Sequence, residues 1–237
     1  MITLYQYKRA MGLPNASPFC MKMETWLRLA GLEYKIKELL DPRKAPMAKL
    51  PMIEHDGNRI ADSSSIIEYL TRACDVQLDS DLTAEQRAIA TAYQRMLEEH
   101  SYWGIVYGRW VDPAVWAEVK EVWFGSFPPG IKQLVCRLAN KQARRDAHGQ
   151  GLSRHSKEEV MHRVGLDLDA VATQLGSKPY FLGDKPHGID ATVYAFVANL
   201  GTPELHWDFP KLVNRHANLP AYCARMRAEF FSDLILD

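Results

Sequence analysis

The stretch Ser17-Pro18-Phe19-Cys20 puts a hydroxyl, a helix-starting proline and a thiol within four residues. Serine at a cap and proline at the first helical position are ordinary helix-start chemistry: the serine oxygen accepts a free N–H, and proline has none to lose. The same hydroxyl, at the positive end of a helix, could instead donate a hydrogen bond to an anion such as a thiolate. Spacing alone does not separate the cap from the catalyst. Cys20, one turn inside, reads first as a small buried hydrophobe. Asp62-Ser63 is a second helix start of this kind, again a cap or a seat for an anionic group. Leu50-Pro51 is either a plain trans proline ending a loop or one of the X–Pro bonds where cis peptides occur. Cys20, Cys74, Cys136 and Cys223 form neither a CxxC pair nor a Cys/His ligand spacing, and His100, His155 and His206 have no matched partner, so no metal is expected.

Those residues need elements to hold them. Ile2 to Tyr7 is β-branched and aromatic and reads as a strand. Phe19, Met23, Trp26, Leu27 and Ala30 form one apolar stripe of a helix that starts at Pro18 and ends at Gly31. Tyr34 to Leu39 alternates as a half-wet strand, and Met52 to His55 and Arg59 to Ala61 flank Asp56-Gly57-Asn58 as a hairpin. A helix with Ile66, Ile67 and Leu70 on its apolar positions follows Asp62. The order is β-α-β, a linker, then β-β-α. Residues 76–83 read as a polar linker between a first domain, 1–75, and a second, 84–237, in which helical periodicity replaces strand signals. Helices are expected at 84–110, 113–124, 131–146, 157–176, 188–200 and 219–231, with a mobile polar loop at 144–151. Ser156 and Glu159 make a capping box for the fourth of these.

Composition excludes several classes of function. Lys plus Arg equals Asp plus Glu at 29 each, so no overall field would draw the chain to nucleic acid or an anionic membrane. No uncharged apolar run approaches the roughly 20 residues of a membrane span, and no leader pattern opens the chain. The unpaired cysteines fit a reducing compartment, and a cytoplasmic protein is the expectation.

Three segments, PNASPFCMKMETWLRLAG, KLPMIEHDGNRIADSSSIIEYL and GDKPHGIDATVYAF, resemble glutathione transferases, and within them most resemble the failed-axon-connections and metaxin-like branch. The resemblance implies a thioredoxin-like N-terminal domain followed by an all-helical one, with glutathione as co-substrate. It implies a cis bond before Pro51, with the Leu50 backbone pairing with the cysteinyl part of glutathione. Asp62 and Ser63 would hold the γ-glutamyl end, although the family often has Glu where Asp62 stands. Ser17 would stabilise the thiolate, with Tyr7, then Tyr5, and Cys20 as rivals. Without a cysteine at Ser17 there is no dithiol for disulfide reduction.

In this family the start of the helical domain faces the thiol, so Tyr102, Trp103, Tyr107 and Trp110 are the candidate pocket for a small apolar electrophile, and Arg109 is either a contact for an anionic substrate or an exposed or ion-paired arginine. Asp190, after Gly183-Asp184-Lys185-Pro186, resembles the family's folding motif, with His187 where Ser or Thr is usual. Two functions are implied. One is a transferase that conjugates or exchanges glutathione on an electrophile. The other is a non-catalytic metaxin-like module that binds glutathione or protein, for which the tail Phe231 to Asp237 shows no membrane anchor. A homodimer is expected, the first domain of one copy against the helical domain of the other.

Overall fold

The computed structural model of the chain describes residues 1–234. Its first part is β1 (Ile2–Gln6), α1 (Pro18–Leu29), β2 (Tyr34–Glu38), β3 (Met52–His55), β4 (Asn58–Ala61) and α2 (Ser63–Ala73). The sheet order is β2-β1-β3-β4, with β1 parallel to β2 and antiparallel to β3, and β3 antiparallel to β4. This is the thioredoxin-like arrangement. Ile2, Leu4 and Ile53 pack with Met23, Trp26 and Leu27 of α1 and with Ile66 and Leu70 of α2, the apolar stripes that helical spacing predicts. β2 is an edge strand and mostly exposed, so its alternation reflects a weakly covered face.

The second part is helical: α3 (Ala84–Arg95), α4 (Tyr102–Val106), α5 (Pro113–Phe124), α6 (Pro129–Gln150), α7 (Lys157–Leu175), α8 (Gly188–Gly201), α9 (Phe209–Val213) and α10 (Asn218–Phe230). The expected helix at 84–110 exists, but it passes through two wider π-helical stretches, Met96–Ser101 and Tyr107–Val111. Two glycines let it lie close to its neighbours. A Cβ on Gly104 would stand 2.5 Å from Val164, and one on Gly108 would stand 2.7 Å from Trp207.

One expectation is overturned. The polar stretch 144–151 is not a loop: α6 continues to Gln150 and ends at Gly151, whose φ is 116°. Ala147 is buried, Arg144 donates to the carbonyl of Val111, and Gln142 donates to Asp146 one turn on, so the polar residues are simply the wet side of a packed helix. The short α9 carried no sequence signal strong enough to be expected. The reading of the tail as free of an anchor falls partly on residues outside those described. Among the described residues no helix is long and apolar enough to cross a membrane.

α8 is apolar on all sides because it is the central helix, packed on α1 of the first domain and on α9 and α10 of the second. At its start Asp190 is fully buried and accepts from the N–H of Phe181, the N–H of His187 and the hydroxyl of Tyr222. Burial pushes its carboxyl above the usual carboxylate range against those three donors. Only the aspartate half of a reciprocal cap depends on a side chain here, which agrees with His187 standing in place of a hydroxyl. A second buried contact joins the domains: the ammonium of Lys22 on α1 lies 2.5 Å from Glu98 and 3.3 Å from the hydroxyl of Ser64 on α2.

Candidate functional site

The sheet register brings the candidate residues to one end. β1 finishes at Gln6 and leads to the loop before α1. Met52, which opens β3 directly after Pro51, pairs with Tyr5 of β1 and with Ala61, the last residue of β4. The N-terminus of α1, the Leu50-Pro51 peptide and the N-terminus of α2 therefore share one edge. The Leu50-Pro51 peptide is cis. Beneath it Leu50, Met52, Ala61, Tyr5 and Cys20 form a small apolar cluster with Tyr7 packed against it.

At α2, Asp62 has a φ of 74° and its Oδ1 accepts the N–H groups of Ser64 and Ser65 at 3.1 and 3.0 Å. The carboxylate is therefore a cap. Ser63, buried beside it, keeps an N–H in the first turn that this cap does not take. Capping is also present at α1, where Ser17 Oγ accepts the N–H of Cys20 at a long 3.4 Å. An accepting hydroxyl still has its own proton to donate.

Ser17 opens onto a cavity of about 710 Å³. Its walls include Tyr7, Tyr102, Arg109, Trp110 and Trp123, and the lining is mostly apolar. The pocket expectation needs a correction: Tyr102 and Trp110 are in the wall, whereas Trp103 and Tyr107 are not and pack instead on the helical core. Helical phase explains it. Positions 102, 105, 106, 109 and 110 share one face, and 103 and 107 are turned roughly 100° or more from Tyr102. Leu138 and Ala139 of α6 and Trp123 of α5 complete the wall, from segments whose approach to the site only tertiary packing decides.

The rivals to Ser17 separate by environment. Burial pushes the Cys20 thiol up to about 12, against the Ser17 hydroxyl, so it remains a neutral core thiol at ordinary pH. Burial likewise raises the Tyr7 phenol above its usual range, which keeps its proton on; Tyr7 lies in the cavity wall, edge-on to Trp123. The Tyr5 hydroxyl is spent on Glu54 at 2.7 Å. The histidines are also occupied: His100 lies 2.6 Å from Asp167, His155 3.6 Å from Glu159 and His206 3.0 Å from Glu118.

Arg109 is buried and, among the described residues, makes no ion pair. It is 2% exposed, and its guanidinium donates to the carbonyls of Ala16 and Asn199 and to Asn199 Oδ1. Asn199 in turn donates to the carbonyl of Asn15, and Asn15 bridges the Tyr7 carbonyl and the Ser17 N–H. The loop carrying Ser17 is thus fastened to the helical domain from two helices.

A thioredoxin-like domain whose cis-proline and two helix starts meet a helical domain over an apolar cavity defines the glutathione transferase fold. Sequence comparison agrees: the glutathione S-transferase N-terminal domain matches residues 18–115 and the C-terminal domain matches residues 164–226. The chain belongs to the glutathione S-transferase family. It is 36% identical to the isoprene-epoxide–glutathione S-transferase of Rhodococcus sp. (strain AD45), over 97% of this chain and 99% of that one. It is 32% identical to failed axon connections of Drosophila melanogaster over 98% of this chain and 59% of that one, and 24% identical to human metaxin-2 over 98% of this chain and 89% of that one. Among solved structures, a glutathione S-transferase of Methylobacterium radiotolerans in complex with glutathione sulfonate shares the fold, with a TM-score of 0.63 at 17% identity over 100% of this chain and 98% of that one.

Proposed function

We propose that the protein is an enzyme that activates glutathione and adds it to a small electrophile with an apolar body. The observation that carries this reading is the Ser17 hydroxyl, held at the start of α1 and opening onto the apolar cavity. Glutathione would lie along the shared edge, its cysteinyl part paired with the Leu50 backbone beside Pro51 and its γ-glutamyl carboxylate at Ser63, with Asp62 shaping that turn. Its thiol needs help, because a free thiol near pKa 8.5 is mostly protonated at neutral pH. Ser17 would donate to the thiolate, reinforced by the positive end of α1. Tyr102 and Trp110 would hold the electrophile. The likeness to an isoprene-epoxide transferase supports an epoxide: the thiol proton goes to solvent water, the thiolate sulfur bonds to a ring carbon as that carbon's C–O bond breaks, and the resulting alkoxide takes a proton from water.

Calorimetric titration with glutathione, followed by a conjugation assay with a small epoxide, tests this. Saturable binding with turnover is expected. Absence of heat at millimolar glutathione would overturn it. Binding without turnover on any small electrophile would favour the second reading, a non-catalytic glutathione- or protein-binding module, to which the likeness to metaxin-2 lends support.

We also place the protein in the cytoplasm, where its four free thiols would stay reduced, and propose a homodimer. Ile131 and Leu134 are exposed apolar residues on α6, and Ile36 and Met47 are exposed on the first domain. Burying one set against the other supports the pairing of unlike domains. Sedimentation at micromolar concentrations should show twice 27.0 kDa.

A further inference from the structure

Arg109 is a buried cation that donates only to neutral oxygens: the carbonyls of Ala16 and Asn199 and Asn199 Oδ1. Its guanidinium carbon also stands 5.2 Å from the centre of the Trp207 ring. The carboxylates near Ser17 are already answered by other partners. Asp41 is taken by Arg43 in two bonds of 2.8 Å, Glu24 lies 2.7 Å from Arg9 and 3.3 Å from Arg28, and Asp146 accepts from Gln142, while Lys8 in the cavity wall adds a second cation. Burial lowers the Arg109 guanidinium to about 9, which leaves it charged at neutral pH. Its field reaches the wall of the cavity: burial raises the Tyr102 phenol, and the Arg109 charge opposes that rise. A neutral amide could donate to the same carbonyls at a much smaller desolvation cost. Hydrogen bonding to the loop therefore accounts for a donor at this position but not for a charge, and an anion that arrives with a ligand does account for it.

We propose that the charge of Arg109 stabilises the glutathione thiolate held at Ser17, acting through its field rather than by contact. Arg109 Nη1 bonds the Ala16 carbonyl at 2.5 Å, and Ser17 is the next residue. The charge therefore stands on the order of 6–8 Å from the Ser17 hydroxyl, one hydrogen bond and one residue away. At that separation and an effective dielectric of about 20, a unit charge moves the titration of a thiol down by about 1–2 pH units. Burial keeps salt and water from screening it. The benefit runs both ways, since a thiolate arriving beside the cation offsets part of the cost of burying it. Arg109 touches neither the thiol nor the electrophile and is a positioning residue, one that fastens the loop and sets the potential at its end. This deepens the reading above and rests on it for the identity of the anion.

The test puts a reporter thiol at the site with Ser17→Cys, so that it needs no glutathione. The alkylation rate of the introduced thiol by iodoacetamide is followed against pH, by mass spectrometry of its own peptide, in combination with Asn199→Asp and with Asn199→Ala. Both Asn199 variants lose the amide that donates to the Asn15 carbonyl, but only the aspartate gives Arg109 an anion. The thiol should titrate higher with Asn199→Asp than with Asn199→Ala by about 1 pH unit or more. Equal values in this pair would overturn the proposal, because a purely structural Arg109 is disturbed alike by both. Should Asn199→Asp fail to fold, Arg109→Lys and Arg109→Met form a second pair: both lose the fork on Ala16 and Asn199, only lysine keeps the charge, and the thiol should titrate lower with lysine. A second arm leaves Ser17 in place and reads the thiolate absorbance of bound glutathione against pH in Asn199→Asp and Asn199→Ala, where the same order is expected. A shift of the reporter thiol without glutathione binding upholds the anion site and removes the transferase reading. Glutathione binding with no difference in either thiol removes Arg109 and leaves that reading standing.

Discussion

Arg109 Nη1 donates a 2.5 Å hydrogen bond to the carbonyl of Ala16, so a helix of the second domain holds the residue that precedes Ser17 in the first. The position of the loop from Asn15 to Ser17 therefore rests on the domain contact as well as on the Asn15 bonds to Tyr7 and Ser17 within the first domain.

Ser17→Ala should separate chemistry from scaffold. If the hydroxyl donates to the thiolate, its loss costs about 1.5–3 kcal/mol, or roughly one to two orders of magnitude in rate where chemistry limits turnover. Glutathione affinity, which the proposed contacts at Leu50 and Ser63 would hold, should change little. The cap it provides is long at 3.4 Å, so stability should fall by about 1 kcal/mol or less. Thiolate absorbance against pH should show the bound thiol titrating higher in the variant; an unchanged value removes Ser17 and makes Tyr7→Phe the next variant.

Cys20 should resist alkylation. Its thiol is fully buried and pushed up to about 12, so from pH 6 to pH 9 the reactive thiolate is nearly absent. Mass spectrometry after iodoacetamide should find Cys20 unmodified in native protein and modified in denaturant. Rapid native labelling would mean that the α1 start opens far more readily than its packing indicates.

The Lys22–Glu98 pair should be necessary as a pair. Lys22→Met leaves a buried carboxylate without its cation and should cost about 3–5 kcal/mol, while Lys22→Met with Glu98→Leu should recover much of that loss. Both variants also remove the Lys22 donor to the Ser64 hydroxyl, which keeps the Gln94 amide at 3.1 Å, so the double variant should regain stability with glutathione affinity little changed. Denaturant melts and calorimetry read the two effects apart.

Gly108→Ala should loosen the cavity wall. The added methyl would stand 2.7 Å from Trp207 and 2.8 Å from Phe209, both rigid rings, and overpacking of this kind costs about 1–3 kcal/mol. A lower thermal midpoint with a higher KM for the electrophile is the expected result, because the same helix carries Arg109 and Trp110.

The amino-acid sequence determined the local features through local chemistry. Periodicity placed α1, α2, α7 and α8, the Asp56-Gly57 turn placed the hairpin, and the caps at Ser17, Asp62 and Ser156 follow from side chains reaching N–H groups two or three residues away. Resemblance added the cis peptide before Pro51 and the buried role of Asp190. Where a side chain's meaning depended on a distant neighbour, local reading failed. A charged, glycine-containing stretch at 144–151 reads as a loop, yet the burial of Ala147 and the carbonyl of Val111 make it a helix. Four aromatics within nine residues look like one pocket, but the phase of the helix sends Trp103 and Tyr107 to the core and leaves Tyr102 and Trp110 at the cavity. Arg109 is the extreme case. Its type and position suggest a solvated or paired cation, and only the meeting of Ala16, Asn199 and Trp207 around it, from segments some 90 residues apart, makes it a buried charge without an anion. Burial is set by what the rest of the chain brings near, and that is decided by packing rather than by residue type.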